Sequence, residues 1–139
     1  MVYYVGPNNG PIKPSNDWIK PDAIFTLPPA DAAKCKLNNC TIYLGVMVNR
    51  SVTTEKEMPY VKIDNIVDGK LANTIASNVF FEPGQAQTQL VLGVGLRFGE
   101  NTLTVLVDAN GGIAETNESN NRLIVKIRVN SQFPDMPKP

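Results

Sequence analysis

The chain contains no histidine. Imidazole is the commonest general base and the commonest neutral metal ligand, so its absence excludes Ser–His and Cys–His nucleophile devices. Cysteine occurs only twice, in CKLNNC (Cys35, Cys40). Two sulfurs without histidine or another cysteine pair fall short of the four ligands that zinc takes. No apolar run approaches the ~18 residues of a transmembrane helix. Neither sign of charge is in excess: 13 basic residues balance 13 acidic ones over 139 positions. That argues against a nucleic-acid partner, which needs a basic footprint, and against a polybasic membrane-surface site. Long amphipathic helices are missing too. ADAAKCKL (30–37) allows one helical turn at most.

What is present is a series of short runs with period-two alternation, bounded by turn residues. They cover 22–27, 41–49, 60–67, 70–77, 86–97, 101–108 and 122–129. In TIYLGVMVN, Ile42, Leu44, Val46 and Val48 share a face. Leu103, Val105 and Val107 do the same in the sixth run, and Leu123, Val125, Ile127 and Val129 in the seventh, with Arg122, Lys126 and Arg128 opposite. Asp68-Gly69 separates two runs, and Asp-Gly is the strongest short hairpin signal because a type I′ turn needs positive φ at both central positions. The pattern predicts an all-β fold, a seven-stranded antiparallel sandwich of immunoglobulin or fibronectin III type. Asn65 is the weak point. It lands on the core side if Val61 and Ile63 do, and a bulge there resolves it.

Residues 6–16, rich in Gly, Pro and Asn, and the closing FPDMPKP read as linkers. The expected organisation is an extension over 1–21, a sandwich over 22–130 and a Pro-rich tail over 131–139. The start has no basic n-region and no long apolar stretch, so no signal peptide is expected there. Up-and-down connectivity groups loops 50–58, 78–85 and 109–121 at one end of the sandwich. Loops 28–40, 68–69 and 98–100 fall at the other. Loops at one pole are where such folds carry binding.

The longest polar stretch is DANGGIAETNESNN (108–121). Its structural reading is a self-capped connection, since Asn and Asp side chains bond nearby amides and tolerate left-handed backbone. Its sharper reading is calcium. Asp108, Glu115, Asn117 and Glu118 are hard oxygen ligands, and Ca²⁺ takes six to eight oxygens. The spacing differs from that of an EF-hand loop, and no cofactor or metal is expected. Glu55/Glu57 and Glu115/Glu118 are paired carboxylates in polar loops, better read as solvated charge than as a glycosidase pair. GVGLRFGE holds Gly93, Gly95 and Gly99 inside a strand with no helix after it, so it is no nucleotide loop. Trp18 and the VYY of residues 2–4 lie before the predicted sandwich, where they fit covering a sheet edge or an open end of the core. Phe80 and Phe81 are the aromatic candidates of the 78–85 loop, one of them expected to face inward. Three glycosylation sequons, at Asn39, Asn49 and Asn117, are read as chance.

LTVLVDANGGIAETNESNNRLIVKIRV resembles the end of a CARDB domain, the cell-adhesion-related domain found in bacteria and archaea. That hairpin runs from Val-Asp through an apolar residue to Glu-x-Asn-Glu-x-Asn-Asn. Here these are Val107, Asp108, Ile113, Glu115, Asn117, Glu118, Asn120 and Asn121. VDGKLANTIAS and FEPGQAQTQLVL are similar to the family's DGK and PGE/Q turns. The resemblance covers about residues 22–130. The cysteine pair and the segment before Asp22 depart from the pattern. It implies a seven-stranded sandwich in a secreted or surface protein, serving as a spacer or adhesion module, with activity in neighbouring domains and no catalytic residues of its own. In an exported protein Cys35 and Cys40 form a local disulfide, which the loop-entropy relation values at about 2 kcal/mol; in a reducing compartment they stay free thiols.

The expectation is therefore a non-enzymatic, extracellular or cell-surface module of a longer exported protein. Its partners are neighbouring domains or other surface proteins, with no nucleic acid and no membrane insertion, and the isolated domain is monomeric. The alternative is a ligand-binding module, for carbohydrate or calcium, using the pole with loops 50–58, 78–85 and 109–121.

Overall fold

The computed structural model describes residues 2–8, 18–21, 23–35, 40–49, 54–56, 58–107 and 122–130. Within them lie β1 (Val2–Gly6), β2 (Ile24–Thr26), the helical turn α1 (Pro29–Ala32), β3 (Cys40–Asn49), β4 (Tyr60–Val67), β5 (Lys70–Asn78), β6 (Gln87–Leu96), β7 (Gly99–Val107) and β8 (Arg122–Val129). Two sheets form, with strand orders β1-β3-β6 and β2-β8-β7-β4-β5. The all-β sandwich read from the alternation is the architecture observed.

The inner faces follow the sequence pattern. Ile42, Leu44 and Val46 of β3 face the core at 0–1% exposure, opposite Ile63 of β4, Leu103 of β7 and Ile127 of β8. Each such side chain contributes roughly 1.5–3 kcal/mol on burial. The β4–β5 hairpin turns at Asp68 and Gly69, with φ of 53° and 77°, the left-handed pair that a two-residue turn of matching twist requires.

Three expectations need correction. The strands among the described residues number eight, because Val2–Gly6 pairs antiparallel with β3 instead of lying in an extension ahead of the sandwich. Val2 and Tyr4 enter the core at 0% and 6% exposure, which gives this short run the burial that holds it in place. Nor are all pairings antiparallel: β2 runs parallel to β8, Ile24 beside Lys126 and Thr26 beside Arg128. The chain thus crosses from one sheet to the other between β1 and β2. Lastly, the bulge at Asn65 lies in the partner strand. Asn65 pairs with Asn73 and Ile66 with Leu71, so Ala72 is the extra residue on β5. β4 keeps its alternation, and Asn65 stays inside at 0% exposure.

The registers fix two poles. Asn49 meets Gln87, Tyr60 meets Asn78 and Leu106 meets Arg122 at the first. Cys40 meets Leu96, Val67 meets Lys70 and Gly99 meets Val129 at the second. Only Arg97 and Phe98 separate β6 from β7, so the poles of the two sheets coincide.

Candidate functional site

At the first pole the chain leaves β5 and returns to β6 through residues 79–86. Val79 N–H donates to the Pro59 carbonyl at 2.9 Å, and Asn78 Nδ2 to that of Met58 at 3.3 Å. The Phe pair divides: Phe81 plugs the core at 1% exposure, while Phe80 is 39% exposed. Glu82-Pro83-Gly84-Gln85 then turns tightly. Pro83 presets φ at the second position, Gly84 takes φ of 89°, and Gln85 N–H donates to the Glu82 carbonyl at 3.0 Å. Gln85 Oε1 accepts from Glu82 N–H at 3.0 Å, closing the turn from both sides. Lys56 Nζ lies 4.8 Å from the Phe80 ring centroid, a cation–π placement that occupies one face of the ring. Met58 stands exposed on the same side of the molecule. The described part of this pole is therefore a small apolar patch under a cation.

The second pole is organised by a buried amide pair. Asn101 continues the inward row of Leu103 and Val105, and it is 0% exposed. Its Nδ2 donates to the carbonyls of Arg97 at 2.9 Å, Gly99 at 3.3 Å and Ile127 at 3.2 Å. Its Oδ1 accepts from Arg97 N–H at 2.9 Å and from Asn65 Nδ2 at 3.1 Å. Asn65 Nδ2 also reaches the Gly95 carbonyl at 2.9 Å. One carboxamide thus supplies both donors and acceptor to the turn that joins the two sheets. Buried polar groups are hydrogen-bonded as a rule. Asn65 Oδ1 departs from it, with no protein partner among the described residues.

Beside this network lies an open groove of about 380 Å³, lined by Thr41, Ala72, Asn73, Gly93, Gly95, Leu96 and Arg97. Gly93 and Gly95 sit on the outward face of β6, since Leu92, Val94 and Leu96 point inward. Both are small for local reasons. A Cβ at Gly93 would meet the Tyr43 ring at 3.1 Å, and one at Gly95 would meet Asn73 Nδ2 at 3.0 Å. Tyr43 is the cross-strand partner of Gly93. Asn73 reaches over from the other sheet to the Gly95 carbonyl at 3.4 Å, which occupies part of the free edge of β6 and blunts it. Taken by their spacing to the next element, these glycines only exclude a nucleotide loop. Two glycines at i and i+2 of a strand, which strip one face of side chains, are the signal that marks such a close approach.

The other sequence candidates fall as follows. Asp108, Glu115, Asn117 and Glu118 lie outside the described residues, as does Glu57. Among the described residues no group of three or more Cys, Asp or Glu side chains stands close enough to hold a metal ion. Cys35 and Cys40 are joined, with Cα atoms 4.4 Å apart, and both are buried between α1 and β3. Trp18 bridges Tyr3 at the outer edge of β1, and Ile19 N–H donates to the Val2 carbonyl at 2.9 Å. The aromatic start therefore covers an edge and fills the core. Tyr4 hydroxyl donates to Asp31 Oδ2 at 2.6 Å, which ties β1 to α1. On the outer face of the five-stranded sheet, Lys62–Asp64, Lys126–Glu100 and Arg128–Glu100 pair at 3.5–3.6 Å. They are partly exposed, and such pairs contribute only about 0–1 kcal/mol each.

No family model matches the chain, and no curated protein matches it. Among solved structures it is similar to a CARDB domain from Pyrococcus furiosus that was solved in complex with di-metal ions. That match covers 82% of this chain and 90% of the other, at 15% identity and a TM-score of 0.48. It is also similar to part of a beta-glucuronidase from glycoside hydrolase family 2, at 11% identity and a TM-score of 0.43. There the match covers 64% of this chain and 9% of the enzyme.

Proposed function

We propose that the chain is a non-catalytic structural module of an exported or surface polypeptide, one that holds neighbouring domains apart and presents them, with adhesive contacts as a secondary role. The observation that carries this reading is the course of the first and last strands. β1 starts at Val2, beside Val46 on the side of the first pole, and β8 ends at Val129, beside Gly99 at the second. A polypeptide that continues past both strands arrives at one pole and leaves at the other. Domains joined in this way stand in line. The resemblance of residues 107–121 to the CARDB hairpin supports the same role, and the joined pair Cys35–Cys40 suits an oxidising compartment. A chain without histidine also lacks the commonest general base.

Ligand binding at the first pole finds less support. A sugar-binding platform needs open aromatic faces, and among the described residues of this pole Lys56 stands over one face of the exposed Phe80 while Phe81 is buried.

The reading is tested by replacement within the parent polypeptide. An unrelated sandwich whose ends also emerge at opposite poles should restore the parent's function, and a Gly/Ser linker of equal residue number should not. Restoration by neither would mean that a specific surface of this module is required, and the spacer reading would fall.

A further inference from the structure

We infer that this sandwich is a mechanical clamp, arranged so that tension between its two ends loads both terminal strands in shear. The use of such a clamp rests on the spacer reading; its geometry rests on the strand registers alone.

Tension on the N-terminal side acts on Val2, the end of β1 nearest the first pole. The pull therefore runs along β1, away from Gly6. Backbone bonds between antiparallel strands lie perpendicular to the strands, so this pull shares the load among them instead of opening them singly. Two further ties hold β1 at its own level: Ile19 N–H to the Val2 carbonyl at 2.9 Å, and Tyr4 hydroxyl to Asp31 at 2.6 Å. Tension on the C-terminal side acts on Val129, the end of β8 nearest the second pole, and runs along β8 away from Arg122. β8 is flanked on both sides, by β7 along its whole length and by β2 over Ile24–Thr26. Leu27 N–H extends the second contact to the Arg128 carbonyl at 2.9 Å.

The parallel pairing of β2 with β8 is the central device. Once β1 has yielded and Ile19, which lies between the two strands in the chain and is fully buried, has been drawn from the core, the N-terminal pull passes to Ile24, the end of β2 on the side of the first pole. β2 is then drawn toward one pole while β8 is drawn toward the other, and their shared bonds oppose the motion together. Side chains resist it as well. Val125, Ile127 and Val129 are buried at 0–1% exposure. A one-residue slip of a strand moves its buried set to the solvent face. The β1–β3 pairing is short beside that of β8 with β7, so β1 leaves first and gives a brief extension step before the main rupture.

The test is single-molecule force spectroscopy on the full 139-residue chain set between reporter domains. In one geometry the chain is pulled through its two ends. In the other the Lys70→Cys variant, with Cys35–Cys40 kept oxidised, is pulled between a handle at position 70 and the C-terminal end. Both points then lie at the second pole, one on the edge strand β5 and the other on β8, with β4 and β7 between them. That pull crosses the sheet and peels bonds one at a time. The end-pulled chain should rupture at a force several-fold higher, after a small preceding step. The same variant pulled by its ends controls for any damage from the substitution. Equal forces in the two geometries would overturn the clamp, whatever the replacement experiment says of the spacer. A high ratio would uphold it even if that experiment failed.

Discussion

Replacing Asn101 by alanine tests whether the second pole depends on the buried amide. The side chain is fully buried and engages Arg97 through both its N–H and its carbonyl at 2.9 Å. It also reaches Gly99, Ile127 and Asn65 at 3.1–3.3 Å. A typical intramolecular hydrogen bond contributes about 1 kcal/mol net, and a buried group left unpaired costs about 1–3 kcal/mol. Counting the two short bonds fully and the three longer ones in part gives a loss of about 3–4 kcal/mol. Against a total stability of about 5–15 kcal/mol for a domain, that is a large fraction. The midpoint of thermal unfolding should fall by about 10–15 °C, taking ~3–4 °C per kcal/mol at this chain length. Urea unfolding followed by circular dichroism gives the free energy directly, and the slope should stay unchanged if only stability moves. Asn65→Ala is the comparator. It also removes a buried oxygen that lacks a protein partner, so its cost should be the smaller of the two. A loss below about 1 kcal/mol for Asn101→Ala would refute the reasoning, because the turn at 97–99 would then hold itself.

Phe81→Ala should cost about 3–5 kcal/mol, as a fully buried ring does, whereas Phe80→Ala should stay within about 1 kcal/mol; paired thermal melts separate them. Gly95→Ala should destabilise by pushing on Asn73 Nδ2, and Asn73→Ala should relieve most of that cost. A double-mutant cycle that came out additive would contradict the contact. Millimolar Ca²⁺ or EDTA should leave the unfolding midpoint unchanged. A site for it would raise stability by about 2.7 kcal/mol at a hundredfold excess over its dissociation constant. An upward shift abolished by EDTA would instead make ligands of Asp108, Glu115, Asn117 and Glu118.

The strands that alternate over many residues were legible because one face of each is buried. Ile42 to Val48 in β3 and Val125 to Val129 in β8 show it, and the Asp68-Gly69 turn announced its own backbone. β1 was not legible. Four residues, VYYV, carry little periodicity, and their burial depends on a free edge of β3 some forty positions away. The parallel β2–β8 contact is likewise a long-range fact that no local pattern encodes. Asn65 is legible as an inward polar residue, and Asn101 extends the inward row of Leu103 and Val105, but nothing local shows that the two amides meet. The groove depends on Asn73 crossing from the other sheet to Gly95; the Gly93 and Gly95 spacing marks a close approach there, but no local pattern names Asn73 as the residue that makes it. The polar stretch 108–121, with the candidate oxygen ligands Asp108, Glu115, Asn117 and Glu118, lies outside the described residues.

The most direct measurement is the distance between the points where the chain meets the sandwich. Dyes placed next to Val2 and Asn130 report it by energy transfer, with the sandwich folded and without added ligand. Val2 lies at the level of Val46, and Val129 lies beyond the level of Cys40. At about 3.3 Å per strand residue and about 10 Å between sheets, the separation should be roughly 25 Å. A value near that figure supports a module that keeps its neighbours in line. A separation of about 10 Å, the thickness of the sandwich alone, would place both ends at one pole and contradict the spacer role.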